Sequence, residues 1–204
     1  IKKTVNFIKK NKSNYLFISA PENVAWLLNI RGFDNPNSPI PNCHLFLDNK
    51  KNFFLIGEKK KIKNLHKEKK IKFNQVIEPK DFKKFIDKKM GKKIMIDIKT
   101  CSIFYENILK RKFKILKKED PIYLLKSIKN KTEIKNMIKS HIADGVALTK
   151  FLYWIKVVNK RRITEFDAQN KLEKIRKKNQ NYLYPSFDTI AGSGANGAIV
   201  HYRS

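Results

Sequence analysis

Cysteine is scarce in this 204-residue chain. The two cysteines, Cys43 and Cys101, lie far apart, and neither belongs to a Cys-x-x-Cys pair. Zinc knuckles and thioredoxin-like redox sites are built from closely spaced cysteine pairs, so the sequence argues against both kinds of site. Unpaired cysteines also favour a reduced, cytoplasmic setting.

Long apolar runs and glycine-rich nucleotide motifs are lacking as well. No apolar stretch approaches the roughly 20 residues that a membrane-spanning helix needs, which predicts a soluble chain with no membrane partner. No glycine fingerprint stands at the first turn between a predicted strand and a helix, and this argues against nucleotide binding by the usual route. The glycines of residues 192–197 lack the Gly-Lys-Ser/Thr ending of a phosphate-binding loop.

Arginine is scarce although the chain is strongly basic. The net charge is +28, but only 6 of the 46 basic residues are arginine, whereas lysine, isoleucine and asparagine are all abundant. These three residue types share AT-rich codons, and a surface selected to bind phosphate groups would use the bidentate guanidinium of arginine more often. We therefore attribute the charge to genome composition and expect dispersed, solvated lysines with no nucleic acid as partner. A basic nucleic-acid-binding protein stays an alternative.

The histidines do not assemble a recognisable catalytic or metal-binding set. His44, His66 and His141 stand apart from one another and from clusters of carboxylates, so we interpret them as structural or solvent-facing residues. No Ser/His/Asp or Cys/His arrangement is evident. His201 has no carboxylate pair at metal-ligand spacing near it, and by itself it does not identify a site.

Residues 1–120 alternate between strand and helix patterns, which is typical of a layered α/β domain. A hairpin is predicted where two apolar runs flank residues 48–51. Ser19 and Glu22 fit a capping box at the start of one helix, and Thr100 is a candidate N-cap for another. The predicted strands are 15–18, 44–47, 53–56, 73–77, 94–97 and 112–116, and the predicted helices are 5–10, 22–29, 79–89 and 100–109.

The pattern changes after residue 120. A long helix is predicted over residues 132–158, with an apolar stripe on which His141 and Gly145 are interpreted as packing residues. Thr164 with Asp167 predicts the start of a second helix.

The last part of the chain is predicted as two strands joined by a glycine turn. The strands are residues 187–191 and 198–202, so His201 would emerge from a buried strand and face a cleft. Two helices followed by strands indicate an α+β unit that is only partly present.

Four segments, in order along the chain, carry a resemblance to a known family. They are residues 22–32 (ENVAWLLNIRG), 141–154 (HIADGVALTKFLYW), 163–168 (ITEFDA), and 187–190 (FDTI) together with 197–202 (GAIVHY). The chain resembles aminopeptidase P, the Xaa-Pro aminopeptidase, of the three-domain cytosolic type. The resemblance implies a creatinase N-terminal-like α/β middle domain over residues 1–120. The first part of an α+β catalytic domain with the pita-bread fold would follow over residues 121–204.

The resemblance also implies an activity. Such an enzyme uses two divalent metal ions, manganese or zinc, whose shared water or hydroxide attacks the peptide bond before a proline in second position. His201 falls on the family histidine that contacts the substrate and helps to stabilise the tetrahedral intermediate. The family's metal ligands are two aspartates, a histidine and two glutamates. All five come after this position, so no metal ligand is expected in this chain.

We therefore expect an internal piece of a longer, cytoplasmic enzyme, inactive by itself. The chain begins at Ile1 rather than Met and stops soon after His201. The implied partner is a peptide with proline in second position, and a homodimer stays open. The alternatives are a non-catalytic pita-bread protein that binds partners, and another enzyme on the same fold such as prolidase or creatinase. Residues 22–32 favour aminopeptidase P.

Overall fold

The computed structural model describes residues 1–68, 71–158 and 162–202. The chain divides into two compact units, Ile1–Ile128 and Lys129–Ser204. The division into domains at residues 120 and 121 stays a prediction. No helix in the described ranges combines the length and the apolar character that crossing a membrane requires.

The first unit is built on a six-stranded sheet of mixed direction. Its strands are β1 (Tyr15–Ile18), β2 (His44–Asp48), β3 (Phe53–Ile56), β4 (Val76–Ile77), β5 (Lys93–Ile96) and β6 (Lys114–Lys117). Their order is β4-β3-β2-β1-β5-β6, and β2 runs antiparallel to β1 and β3, whereas the other neighbours are parallel. The predicted hairpin joins β2 to β3 and is confirmed. β4 is shorter than predicted because Phe73–Gln75 form a 3₁₀ turn.

Helices cover both faces of this sheet. They are α1 (Lys2–Lys10), α2 (Pro21–Leu28), α3 (Lys63–Lys67), α4 (Phe82–Asp87), α5 (Ile103–Lys110) and α6 (Pro121–Ser127). Along β1 the side chains alternate between two cores, as the period of a strand requires. Leu16 and Ile18 pack in the core that includes α1, α2 and α6, whereas Tyr15 and Phe17 pack with α4 and α5. This three-layer arrangement confirms the predicted α/β class.

Two predicted helix caps are wrong for one shared reason. The N-cap of α2 is Ala20, followed by Pro21 in the first helical turn, and the N-cap of α5 is Ser102. The hydroxyl groups of Ser19 and Thr100 instead bond to each other, with 2.7 Å between their oxygens. A tertiary hydrogen bond therefore replaces the local capping bond at both positions.

In the described part of the second unit, the regular elements are all helical, and residues 177–193 form turns and irregular backbone. The elements are α7 (Lys131–Tyr153), a π-helical turn (Trp154–Val158), α8 (Glu165–Arg176) and a 3₁₀ turn (Gly194–Ala198). A capping box of Asn130 with Glu133 begins α7. The capping box of Thr164 with Asp167 begins α8, so that predicted helix start is confirmed.

The apolar stripe of α7 is mostly exposed. Ile134, Ile138 and Ile142 are 48%, 55% and 63% exposed, and His141 is also exposed. A Cβ built at Gly145 would meet nothing within 4 Å. The interpretation of His141 and Gly145 as packing residues is therefore wrong for the described part of the chain.

Candidate functional site

His201 lies in a turn and is exposed, so its predicted position on a strand is wrong. Residues 187–191 and 198–202 form no strand, although their apolar and β-branched residues favour one. A strand needs a partner for its N–H and C=O groups. Residues 129–158 and 162–202, the described part of the second unit, contain no strand that supplies them. Local turns satisfy part of this backbone instead.

Glycines shape the segment that leads to His201. At Gly192 a Cβ would lie 2.9 Å from the carbonyl oxygen of Asn196, so a larger residue would collide with backbone. Gly194 adopts φ of +57°, in the left-handed region. His201 itself has φ of +55°, a conformation that costs a residue with a Cβ roughly 1–2 kcal/mol. Surrounding contacts must offset that strain.

The carboxylate of Glu165 accepts hydrogen bonds from this segment. Its donors are the backbone N–H of Ser193, in a short contact, and the side-chain amide of Asn196, whose Nδ2 lies 3.2 Å from each carboxylate oxygen. The phenol of Tyr202 also donates to Glu165. Asn196 Nδ2 donates in turn to the Tyr202 oxygen at 3.0 Å. Glu165, Asn196 and Tyr202 form a polar cluster at the first turn of α8, and His201 precedes Tyr202.

Hydrogen bonding sets the ionisation of this cluster. The Tyr202 phenol and, after it, the Ser193 amide lower the pKa of the Glu165 carboxyl, because each bond favours the charged form. The bond to Glu165 raises the pKa of Tyr202, because the phenol must keep its proton in order to donate. Near neutral pH the cluster therefore combines a carboxylate with a neutral phenol.

An ion pair joins α7 to α8. Arg176 donates from Nε to Asp144 Oδ1 at 2.6 Å and from Nη2 to Asp144 Oδ2 at 3.0 Å. This two-point geometry fixes orientation as well as distance. Asp144 lies in the segment 141–154, so that segment helps to hold α8, whose first turn carries Glu165.

The other histidines are bound to backbone carbonyls. A carbonyl oxygen only accepts, so each Nδ1 carries a proton and donates. The Nδ1 distances are 2.8 Å from His44 to Ser19, 3.3 Å from His66 to Ile71 and 2.9 Å from His141 to Met137. Within the described part of the chain, no three His, Cys, Asp or Glu side chains converge as ligands of a metal ion.

Comparison with known families matches almost the whole chain. Residues 1–133 match the Creatinase/Prolidase N-terminal domain, and residues 135–204 match Metallopeptidase family M24. The first match alone covers more than half of the chain. The chain belongs to the creatinase/prolidase N-terminal domain family.

Relatives of this creatinase/prolidase N-terminal chain carry the name that the resemblance implied. Xaa-Pro aminopeptidase 1 of Dictyostelium discoideum is 34% identical over 206 residues, covering 96% of this chain and 32% of that protein. Xaa-Pro aminopeptidase ApepP of Drosophila melanogaster is 31% identical over 204 residues, covering 96% of this chain and 33% of that protein. The resemblance to aminopeptidase P is thereby confirmed. The chain spans about a third of the length of these relatives.

A solved structure shows the same fold. It is an X-prolyl aminopeptidase from Caenorhabditis elegans, described as a cytosolic enzyme with a di-nuclear active site. The TM-score is 0.75 at 23% identity, and the match covers 93% of this chain and 32% of that one. Together with the two family matches, this likeness confirms the predicted fold class, an α/β domain followed by the first part of a pita-bread catalytic domain.

In the creatinase/prolidase N-terminal domain, the segment 22–32 has a structural role. Glu22 accepts a hydrogen bond from the Tyr123 phenol at 2.9 Å, which links α2 to α6. Gly32 follows α2 where a Cβ would lie 2.6 Å from the Cβ of Pro41. These contacts explain why a glutamate begins this segment and a glycine ends it.

A cavity of about 220 Å³ lies in the first unit. Its lining includes Cys43, His44, Ile56 and Tyr105. Burial raises the pKa of the Cys43 thiol to about 12, so the thiol stays protonated and a poor nucleophile. This cavity therefore offers no activated cysteine.

His201 stays a predicted site residue, and its neighbours in the cluster were not predicted. Glu165 lies inside the segment 163–168, but the sequence pattern marks only Thr164 and Asp167, which cap α8. The donors to Glu165 come from residues beyond 190, so short-range spacing gives no signal for them. The sequence contains one local indication of this cluster. Glu165 directly follows the N-cap Thr164, where the helix dipole favours a carboxylate, and a glycine loop comes later in the chain.

Proposed function

We propose that this chain is part of a metal-dependent Xaa-Pro aminopeptidase, which removes the N-terminal residue from peptides with proline in second position. The observation that carries the proposal is the order of the two family matches, creatinase/prolidase N-terminal domain and then metallopeptidase. Identity of 34% over 96% of the chain to a protein named Xaa-Pro aminopeptidase 1 supports it further. In this proposal residues 1–120 are the middle domain, and residues 121–204 begin the catalytic domain.

His201 is the substrate-binding and catalytic residue of the proposal. Its imidazole N–H donates to the carbonyl oxygen of the peptide bond before proline and more strongly to the negative charge that develops there. Two features support this role. The side chain of His201 is exposed. It also follows a turn in which Gly192 lets two stretches of backbone approach each other closely.

Two divalent metal ions, manganese or zinc, belong to the proposed enzyme and would supply a bound water as nucleophile. The di-nuclear active site ascribed to the Caenorhabditis elegans enzyme supports the number two. The residues described here do not fit such a site, because no three ligand side chains converge among them. We expect the ligands outside these 204 residues and assign no step of the reaction to a metal through this chain. The chain alone is then expected to be inactive.

The proposed setting is the cytoplasm. The Caenorhabditis elegans enzyme is described as cytosolic, and both cysteines in this chain are free thiols. Neither nucleic acid nor membrane is a proposed partner. A homodimer of the whole enzyme stays a prediction, which light scattering measures directly.

The test is hydrolysis by the longer protein that contains this segment, loaded with Mn²⁺. We expect cleavage of Ala-Pro-Ala after the first residue, loss of activity with a chelator, and much slower cleavage of Ala-Ala-Ala. Equal cleavage of both peptides would overturn the proline specificity. A folded protein that cleaves neither peptide with Mn²⁺ or Zn²⁺ would instead favour the non-catalytic interaction protein. DNA affinity that falls steeply with salt would favour the nucleic-acid alternative.

A further inference from the structure

Glu165 holds the segment 193–202 at both of its ends. At the start it accepts the backbone N–H of Ser193, and at the end it accepts the phenol of Tyr202. Between them it binds the side-chain amide of Asn196, which also donates to the Tyr202 oxygen. One carboxylate on α8 therefore closes a loop of which His201 is the next-to-last residue.

Packing does little to fix this loop. Ile199 is 53% exposed and Val200 is 83% exposed, so apolar burial contributes little to its stability. His201 has a strained φ of +55°, and Tyr202 N–H closes the turn around it by donating to Ile199 O at 3.3 Å. An exposed segment with a strained residue needs specific hydrogen bonds to hold one conformation. The hydrogen bonds to Glu165 connect the start of the segment, at Ser193, with its end, at Tyr202.

Glu165 is itself well placed to act as an anchor. It is the first residue of α8, whose start is fixed by the capping box of Thr164 and Asp167. A carboxylate near a helix N-terminus is favoured by the helix dipole. The far end of α8 is tied to α7 through Arg176 and Asp144. Glu165 therefore lies on α8, a helix that side-chain interactions hold at both ends.

We propose that Glu165 is a positioning residue that sets the location of His201 by holding Ser193, Asn196 and Tyr202. The functional half of this inference rests on the proposed aminopeptidase function, because the position of His201 affects activity only if His201 contacts the substrate. The structural half, that Glu165 orders the segment, is independent of that function. The competing explanation is that Glu165 only stabilises α8.

The structural half is tested on the 204-residue chain by hydrogen exchange. In Glu165→Ala the amide of Ser193 should exchange at least roughly tenfold faster, since one hydrogen bond is lost. Glu165→Gln keeps an acceptor oxygen and should retain part of the protection. Glu173→Ala is the matched control, because Glu173 lies on the same helix and forms a local ion pair, with Lys177 at 2.8 Å. Faster exchange confined to the amides of α8, with Ser193 unchanged, would support the competing explanation and overturn the proposal.

The functional half is tested in the full-length, metal-loaded enzyme by a double-mutant cycle. We expect Glu165→Ala to lower kcat more than it raises KM, with metal content unchanged and partial rescue in Glu165→Gln. If Glu165 acts through His201, Glu165→Ala should cost little in the His201→Ala background. Full additivity of the two losses would overturn the positioning role. If the wild-type enzyme cleaves no Xaa-Pro peptide, the proposed function fails, and the Ser193 exchange result still decides the structural half.

Discussion

The side-chain amide of Asn23 donates to Asp120 Oδ2 across 2.7 Å in the interior of the first unit, where both side chains are buried. The other carboxylate oxygen accepts the Ile122 N–H at 2.9 Å and caps α6. The Asp120 N–H donates to Asp97 Oδ2 at 3.0 Å, just beyond the end of β5. Residue Asp120 therefore links α2, α6 and the sheet.

Replacing Asp120 by alanine should lower the free energy of unfolding of the first unit by about 2–4 kcal/mol. The loss combines a helix cap, worth roughly 1 kcal/mol, with a buried amide left without its acceptor, worth roughly 1–3 kcal/mol. Urea denaturation measures it. Asp87→Ala is the control, because Asp87 is exposed and forms a surface pair with Lys83 that contributes little. Equal effects of the two substitutions would contradict the linking role of Asp120.

His44 should make the stability of the first unit depend on pH. Burial lowers the pKa of His44 below its ordinary value of 6.5, and the hydrogen bond to the Ser19 carbonyl opposes this only in part. Between the lowered folded pKa and 6.5 the unfolded chain binds a proton that the folded chain does not. The unfolding free energy contributed by this residue is therefore full at neutral pH and falls as the pH drops through that window.

His44→Asn isolates this effect, because asparagine removes the titration and offers an N–H near the position of Nδ1. Urea denaturation at about pH 7.5 and about pH 5 should show a larger loss of stability in the wild type than in the variant. Carboxylates titrate alike in both proteins, so the difference belongs to His44. Identical losses would show that the folded and unfolded pKa values of His44 do not differ.

Gly32 should not tolerate a side chain. In Gly32→Ala the new Cβ would lie 2.6 Å from the Cβ and 2.7 Å from the Cα of Pro41. Relieving these contacts would require the backbone at Pro41 or Gly32 to shift. We expect a loss of about 1–3 kcal/mol in unfolding free energy. Gly57→Ala is the matched control in the same unit, since its nearest contact would be Cys43 Cβ at an ordinary 3.6 Å. A neutral Gly32→Ala would mean that the turn after α2 moves freely.

If the proposed aminopeptidase function is right, His201→Ala should abolish most activity of the full-length protein without unfolding it. Loss of one donor to a developing oxyanion lowers kcat/KM by about 10²–10³-fold. The side chain is exposed, so melting temperature and metal content should stay unchanged. His141→Ala is the control, because His141 is an exposed histidine of the same unit that donates to Met137 within its own helix. Near-normal turnover with a lower melting temperature would identify His201 as a packing residue.

Local pattern predicts the first unit well where burial decides the structure. β1, β2 and β3 are apolar runs bounded by polar turns. β1 is buried throughout, β2 over its three central residues and β3 over its last two. The local pattern predicts helix caps wrongly where a polar side chain hydrogen-bonds to a residue that is distant in sequence. Ser19 and Thr100 are both good N-cap residues, yet they bond to each other, and no local rule anticipates a pair brought together by β1 and β5.

The candidate site is predicted less well than the fold because its order comes from contacts between distant residues. The β-branched residues before and after the glycine turn favour strands, but a strand is stable only beside another strand. The cluster at Glu165 depends on Ser193, Asn196 and Tyr202, which lie far from α8 in sequence. The resemblance to aminopeptidase P predicts His201 as a site residue, whereas the hydrogen bonds of Ser193 and Asn196 to Glu165 are seen only in the structure.

The position of β1 in the sheet has a consequence for synthesis on the ribosome. On one side β1 pairs with β2, which follows soon after it, and on the other side with β5, from a much later part of the chain. Shorter loops close at a lower entropic cost, so β1, β2 and β3 are expected to order first. Until Lys93–Ile96 emerge, a nascent chain would present the open edge of β1, and any other extended segment that reaches this edge can add to it in place of β5.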